Sequence, residues 1–285
     1  MWFRFRAKYV FLREDDRGKS LETNTSPVYP KQFFELQLIF AQKIADLSQQ
    51  PLNEILLHYT AFYRILGLDW SLDPTNSVWQ TYTQGLQQAA EKMDFTHQFY
   101  LQRYSAIPKF TDEEHWGCFS YEHLPEKRAI HLHFGDQDTS IYGPLSHRRI
   151  DVRTSELRAM FQQIQRRHTD TILVQGGSWL YNWEAYRRLF HPAFGQSAQK
   201  EQKFTLAGRN IWGQFLRQRA SVHQETMSLF LERVSQLKRA EDYSQCFPYP
   251  NVRTEATIHL FYEFYGVVSE TLRTKRFAPL LSGDE

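Results

Sequence analysis

The chain of 285 residues holds only two cysteines, Cys118 and Cys246, far apart in sequence. That excludes a disulfide framework and any Cys-x-x-Cys metal or redox pair. It reads as two reduced thiols in a cytoplasmic protein. No apolar run approaches the ~20 residues that a membrane span needs. The opening MWFRFRAKYVF sets Arg4, Arg6 and Lys8 where a secretory signal needs an unbroken apolar stretch, so no signal is expected there. Net charge is scarce as well: 34 Lys and Arg against 32 Asp and Glu leave +2. This argues against a general polyanion or membrane-surface binder. Internal repeats and low-complexity tracts are missing, and so are the phosphate-loop pattern Gly-Lys-Ser/Thr and the nucleophile pattern Gly-x-Ser-x-Gly.

Aromatic residues, in contrast, are plentiful: 22 Phe, 15 Tyr and 7 Trp. They supply enough burial to exclude wholesale disorder. Residues 11–30 are polar and turn-rich, and 1–30 as a whole reads as a leader. From 31 to 110 the pattern is helical. Phe33, Phe34, Leu36, Ile39, Phe40, Ile44 and Leu47 are read as one apolar face. Leu52, Ile55, Leu56, Tyr59, Phe62, Tyr63 and Leu66 predict one continuous second helix that stops at Gly67. A third helix is expected after Asp73-Pro74 and a fourth from Phe95 to Tyr104.

Near 115 the period becomes alternating. Trp116–Tyr121 and Ala129–Phe134 read as a hairpin across a turn at His123–Lys127. An amphipathic helix over Arg153–His168 follows, and Thr171–Val174 reads as a buried strand. Helices are then expected at Trp179–Phe190, Gly208–Leu237 and Ile258–Leu272. The predicted fold class is therefore α/β (α+β): a helical N-terminal half, then a small mixed sheet with flanking helices over 111–285.

Candidate chemistry concentrates between 120 and 188. His131 and His133 lie at i and i+2 on a strand, so both imidazoles face one side, with Leu132 facing the core. With Asp136 they form a candidate metal set for a metal-dependent hydrolase, and Asp138 is a further carboxylate nearby. Gly176-Gly177-Ser178 is read as a strand-to-helix corner that offers amides to an anion, with Ser178 as N-cap. Arginines crowd the region. Arg148 and Arg149 share a loop with Gly143-Pro144 and are the best candidates to hold a small anionic ligand. Tyr181, Trp183 and Tyr186 beside Arg187 and Arg188 fit helix packing better than a nucleic-acid stripe. The sequence names no protein partner.

The order of these features carries a resemblance. Gly117-Cys118-Phe119-Ser120-Tyr121-Glu122, Ile130-His131-Leu132-His133, Gly143-Pro144-Leu145 and Ser178-Trp179-Leu180 resemble the GNAT-like C-terminal domain of bacterial acyltransferase-domain proteins over about 115–185. The resemblance implies acyl transfer from a coenzyme A thioester. Glu122 or His133 would act as base, and Gly143, Arg148, Arg149 and Ser178 would hold the cofactor. It also implies a V-shaped gap between the strands at Ile130 and Thr171, where GNAT proteins place the pantetheine arm. The chain departs from the pattern in one respect: the Arg/Gln-x-x-Gly-x-Gly/Ala pyrophosphate signature is missing from 135–153. That departure points to the alternative, a catalytically silent relative serving as a binding or scaffold protein.

Overall fold

The computed structural model describes residues 28–105, 114–135, 137–138, 140–201, 204–217 and 221–267. Most of the expected leader, Asp136, and the chain beyond Val267 lie outside the described residues.

Five helices come first: α1 (Lys31–Ser48), α2 (Leu52–Tyr59), α3 (Phe62–Ile65), α4 (Ser77–Gln88) and α5 (Lys92–Tyr104). Asn76 caps α4, its side chain accepting from the Val78 and Trp79 amides at 3.0 and 3.4 Å. The expected single helix through Leu66 is divided at Thr60 and Ala61. Its cause is tertiary. Gln37 of α1 is fully buried, and its Oε1 accepts the Ala61 amide at 2.8 Å while its Nε2 donates to the Phe33 carbonyl at 3.0 Å. The Thr60 hydroxyl donates to the Leu56 carbonyl at 2.6 Å. A side chain from a neighbouring helix thus satisfies an amide that would otherwise be buried without a partner. Gly67, at φ 83°, ends the segment as expected.

The remaining elements are β1 (Phe119–Leu124), β2 (Ala129–Phe134), α6 (Ile150–Arg167), β3 (Leu173–Ser178), α7 (Glu184–Arg187), α8 (Pro192–Gln196), β4 (Gln199–Lys200), α9 (Arg209–Trp212), α10 (Gln224–Gln236), β5 (Val252–Thr257) and α11 (Ile258–Phe264). The fold is mixed α/β, with helices flanking a five-stranded sheet of order β1-β2-β3-β5-β4. β1 pairs antiparallel with β2. β2 and β3 run parallel, joined by the α6 crossover. β5 enters antiparallel between β3 and β4. Phe40 of α1 links both halves, its ring 5.7 Å from Trp212, 5.5 Å from Phe230 and 5.8 Å from Phe247.

Four sequence expectations need correction. The first strand starts later, so that His123 and Leu124 belong to it, and the turn is a short 3-10 segment at Pro125–Lys127 followed by Arg128 at φ 49°. The expected helix over Gly208–Leu237 is two helices, because Leu216 and Val222 form a bridge that turns the chain between them. The helix expected over Trp179–Phe190 is a 3-10 turn at Trp179–Asn182 followed by α7. Finally, Gly176 and Gly177 do not form a corner. They lie inside β3, and the turn begins at Ser178, whose Oγ accepts the Leu180 amide at 3.1 Å.

Candidate functional site

The β2–β3 ladder runs from Ala129–Leu173 to Leu132–Gly176 and stops there. Both strands go on. β2 stays with β1 through Phe134, and the Gly135 amide donates to the Cys118 carbonyl at 2.9 Å. β3 stays with β5 through Ser178, paired with Val252. Each strand end is held by its outer neighbour, so the sheet forks between His133–Phe134 and Gly177–Ser178.

Register fixes what faces the fork. On one side of the sheet lie Glu122, His131, Gln175 and Glu255 in one cross-strand row, and Ser120, His133, Gly177 and Arg253 in the next. This is the wet face, as expected for His131 and His133. Their ring centroids are 5.1 Å apart, and His133 Nε2 lies 3.9 Å from Glu122 Oε2. Gln175 is buried and donates through its amide to Glu255. Burial, then the charges of His133, Arg253 and Lys127, lower the His131 pKa to about 4. The opposite face is aromatic. Phe134 meets Tyr186 with centroids 5.4 Å apart, and Tyr181 packs so tightly over Gly176 that a Cβ there would overlap its ring.

The loop from β2 to α6 is braced from inside. The side chain of Asp138 is 2% exposed, although the residue as a whole is only half-buried, and it accepts from Arg149 Nε at 2.7 Å and Arg153 NH2 at 2.9 Å. Arg153, also 2% exposed, reaches Glu156 at 3.1 Å and donates to the Cys118 thiol. Burial would raise the Asp138 pKa, but hydrogen bonds from Ser140 and Arg149 and the charge of Arg153 hold it below the usual carboxylate range. Glu156 shifts upward, chiefly by burial. Gly117 has φ +60°, and its missing Cβ makes room for the Glu156 carboxylate, which accepts the Cys118 amide at 3.2 Å.

This bracing changes the roles expected from sequence. Arg149 is committed to Asp138. Arg148 donates to the Tyr142 hydroxyl and lies over its ring at 4.6 Å. Gly143 faces open space. Arg188, read only as part of a basic cluster, instead grips this loop. It donates to the Leu145 carbonyl at 2.6 Å and pairs with His147 Nε2 at 2.8 Å. Ser146 Oγ and Arg188 Nε are buried there with no hydrogen-bond partner among the described residues. Ser178 does act as a cap. Its neighbour Asn210 donates to the Gly177 carbonyl at 3.1 Å.

In comparisons with known protein families, curated proteins and solved structures, nothing matches this chain. Among the described residues, no group of three or more His, Cys, Asp or Glu side chains is placed to hold a metal ion. The third member of the expected metal set, Asp136, lies outside the described residues, and Asp138 is taken by two arginines. Nor is any described helix long and apolar enough to cross a membrane.

Sequence reasoning missed β5, and with it Arg253 and Glu255. The strict alternation in Val252-Arg253-Thr254-Glu255-Ala256-Thr257 was the available signal.

Proposed function

We propose that the chain is a GNAT-like acyltransferase relative that takes a coenzyme A thioester at the β2–β3 fork. One observation carries the reading: the two parallel strands lose their ladder after Leu132–Gly176, while each stays paired to its outer neighbour. A strand-like pantetheine arm needs an unpaired strand edge with which its amides can pair; the end of β2 offers one, while on β3 the Gly177 carbonyl is already taken by Asn210. The strand order, with a hairpin, a helical crossover to a parallel strand and a late strand inserted antiparallel, supports the same reading.

The loop before α6 fits an anion. Ser146 Oγ and Arg188 Nε are buried with no hydrogen-bond partner among the described residues, and neither Arg148 nor Arg188 holds a carboxylate among them. Such orphaned groups are costly unless a ligand satisfies them. These residues, rather than Arg149, would hold the pyrophosphate. When bound, the thioester supplies an activated acyl group. On the wet face, Glu122 or His133 would take the proton of an incoming amine. The amine nitrogen then bonds to the acyl carbon as the carbon–sulfur bond breaks, and the thiol leaves with a proton.

Isothermal titration of the full chain with acetyl-coenzyme A and with free coenzyme A tests this. Saturable binding is expected, weakened at least about tenfold in Arg188→Ala, where a charged contact worth ~1.5–3 kcal/mol is lost. Absence of heat with either ligand at millimolar concentration would sink the reading in favour of a scaffold role.

A further inference from the structure

Two glycines adjoin in β3, and only one is explained by the protein itself. Glycine inside a strand is less stable than alanine by roughly 0.5–1 kcal/mol, so each needs a reason. Gly176 has one, since Tyr181 occupies the space of its Cβ. Gly177 has none of that kind. Its φ is not positive. An added Cβ would meet only the His131 ring, at 3.5 Å from Cε1 and 3.8 Å from Nε2, which is ordinary contact. Glycine inside a strand often marks a bulge, a bend, or a place where a ligand or another backbone comes close; Gly177 keeps its pairing with Arg253 and Gly176 with Thr254, which leaves close approach as the use of Gly177.

The surroundings of Gly177 say what such a ligand would carry. Arg253 is its direct partner across the β3–β5 ladder, so the guanidinium stem rises on the same face as the His131 ring. Arg253 is exposed, and among the described residues it has no hydrogen bond or ion pair. Its neighbour on the strand, Glu255, is engaged by Gln175 instead. Arg149, Arg153, Arg167, Arg187 and Arg239, by contrast, all hold carboxylates. On the other side of Gly177, the His131 imidazole borders the fork. It stays neutral through the physiological range, as its pKa of about 4 implies, and so can accept a hydrogen bond. Adjacent strands stand ~4.8 Å apart. A flat floor one residue wide thus separates a free cationic fork from a neutral nitrogen acceptor.

We propose that the acyl acceptor is an amino carboxylate that lies across Gly177, its carboxylate on Arg253 and its nitrogen directed at His131. This rests on the acyl-transfer reading for the reaction, but the site itself can be tested without a thioester. Guanidinium is suited to a carboxylate because its two parallel N–H groups match the two oxygens. The nitrogen end would then sit at the edge of the fork, beside His133 and Glu122, where a proton can be taken. His131 is a positioning residue in this arrangement.

The test uses the full chain with ring-labelled histidine, observed by NMR, with the His131 signals assigned by their loss in His131→Gln. A mixture of the standard amino acids is titrated first. Ethylamine and acetate, each carrying one of the two groups, follow separately. Saturable movement of the His131 signals is expected with the amino acids, at least tenfold weaker with either single-group probe. The exposed Arg253→Ala change should weaken amino-acid binding at least tenfold, and Gly177→Val should abolish it. The inference is overturned by a lack of saturable movement with the amino acids, by equal binding of ethylamine, or by indifference to Arg253→Ala. Coenzyme A binding without amino-acid binding would overturn this inference and leave the acyl-transfer reading intact. The reverse result would leave this site standing and remove the thioester.

Discussion

Asp138→Ala is expected to destabilise the fold by about 3 kcal/mol. The carboxylate is almost fully enclosed and holds Arg149 and Arg153 together, while Arg153 is itself enclosed. Removing one partner of a buried ion pair costs roughly 3–5 kcal/mol, because the remaining charge keeps its desolvation penalty and loses its compensation. The expected value sits at the low end because Glu156 still reaches Arg153 at 3.1 Å. Urea unfolding of the variant measures it. The double variant Asp138→Leu, Arg153→Met should recover a substantial part of the loss, since no guanidinium is then left buried without its partner. A loss below about 1 kcal/mol in Asp138→Ala would mean that the loop is not braced in this way.

The second large effect is on stability against pH, through His131. Its folded pKa of about 4 lies below the ordinary histidine value, so between the two values the unfolded chain binds a proton that the folded chain refuses. Stability is unaffected by this group above pH ~6.5 and falls as pH drops toward ~4. The linkage amounts to about 2 kcal/mol between pH 7 and pH 5 and about 3 kcal/mol by pH 4. The groups around it are mixed. His133, Arg253 and Lys127 oppose its charging, whereas Glu122 and Glu255 lie in its own cross-strand row. In His131→Gln the pH dependence of unfolding should flatten by that amount over the same range. An unchanged slope would place the His131 proton equilibrium near that of a free imidazole, and the ring in solvent rather than against Gly177.

Much of the fold was legible in the sequence because its signals are local. The apolar face of α1, the start of α4 after Asp73-Pro74 and the alternation of Ala129–Phe134 each occupy a single element or its lead-in. What escaped is tertiary. The break at Thr60 depends on a glutamine from α1. β5 has a thin inner face of Val252, Thr254 and Ala256, and it becomes a strand by pairing with β3. Without β5 the pattern of residues does not show that the end of β3 stays paired through Ser178, and the gap beside β2 entered only as what the resemblance implies. The candidate site divides in the same manner. His131 and His133 were readable from strand parity, whereas Glu122 entered only through the resemblance, since the first strand was expected to end at Tyr121 and in fact runs to Leu124. The arginines were not, because composition cannot say which of Arg148, Arg149 and Arg188 is already spent on Asp138, Tyr142 or the Leu145 carbonyl.

Hydrogen exchange read by mass spectrometry tests most directly whether the fork is a ligand site. With saturating acetyl-coenzyme A, backbone protection should rise in the peptides covering His133–Gly135, Gly177–Ser178 and the loop from Gly143 to Arg149, and stay unchanged in β1 and in α1–α5. Protection that appears elsewhere, or no change at the two strand ends, would contradict it.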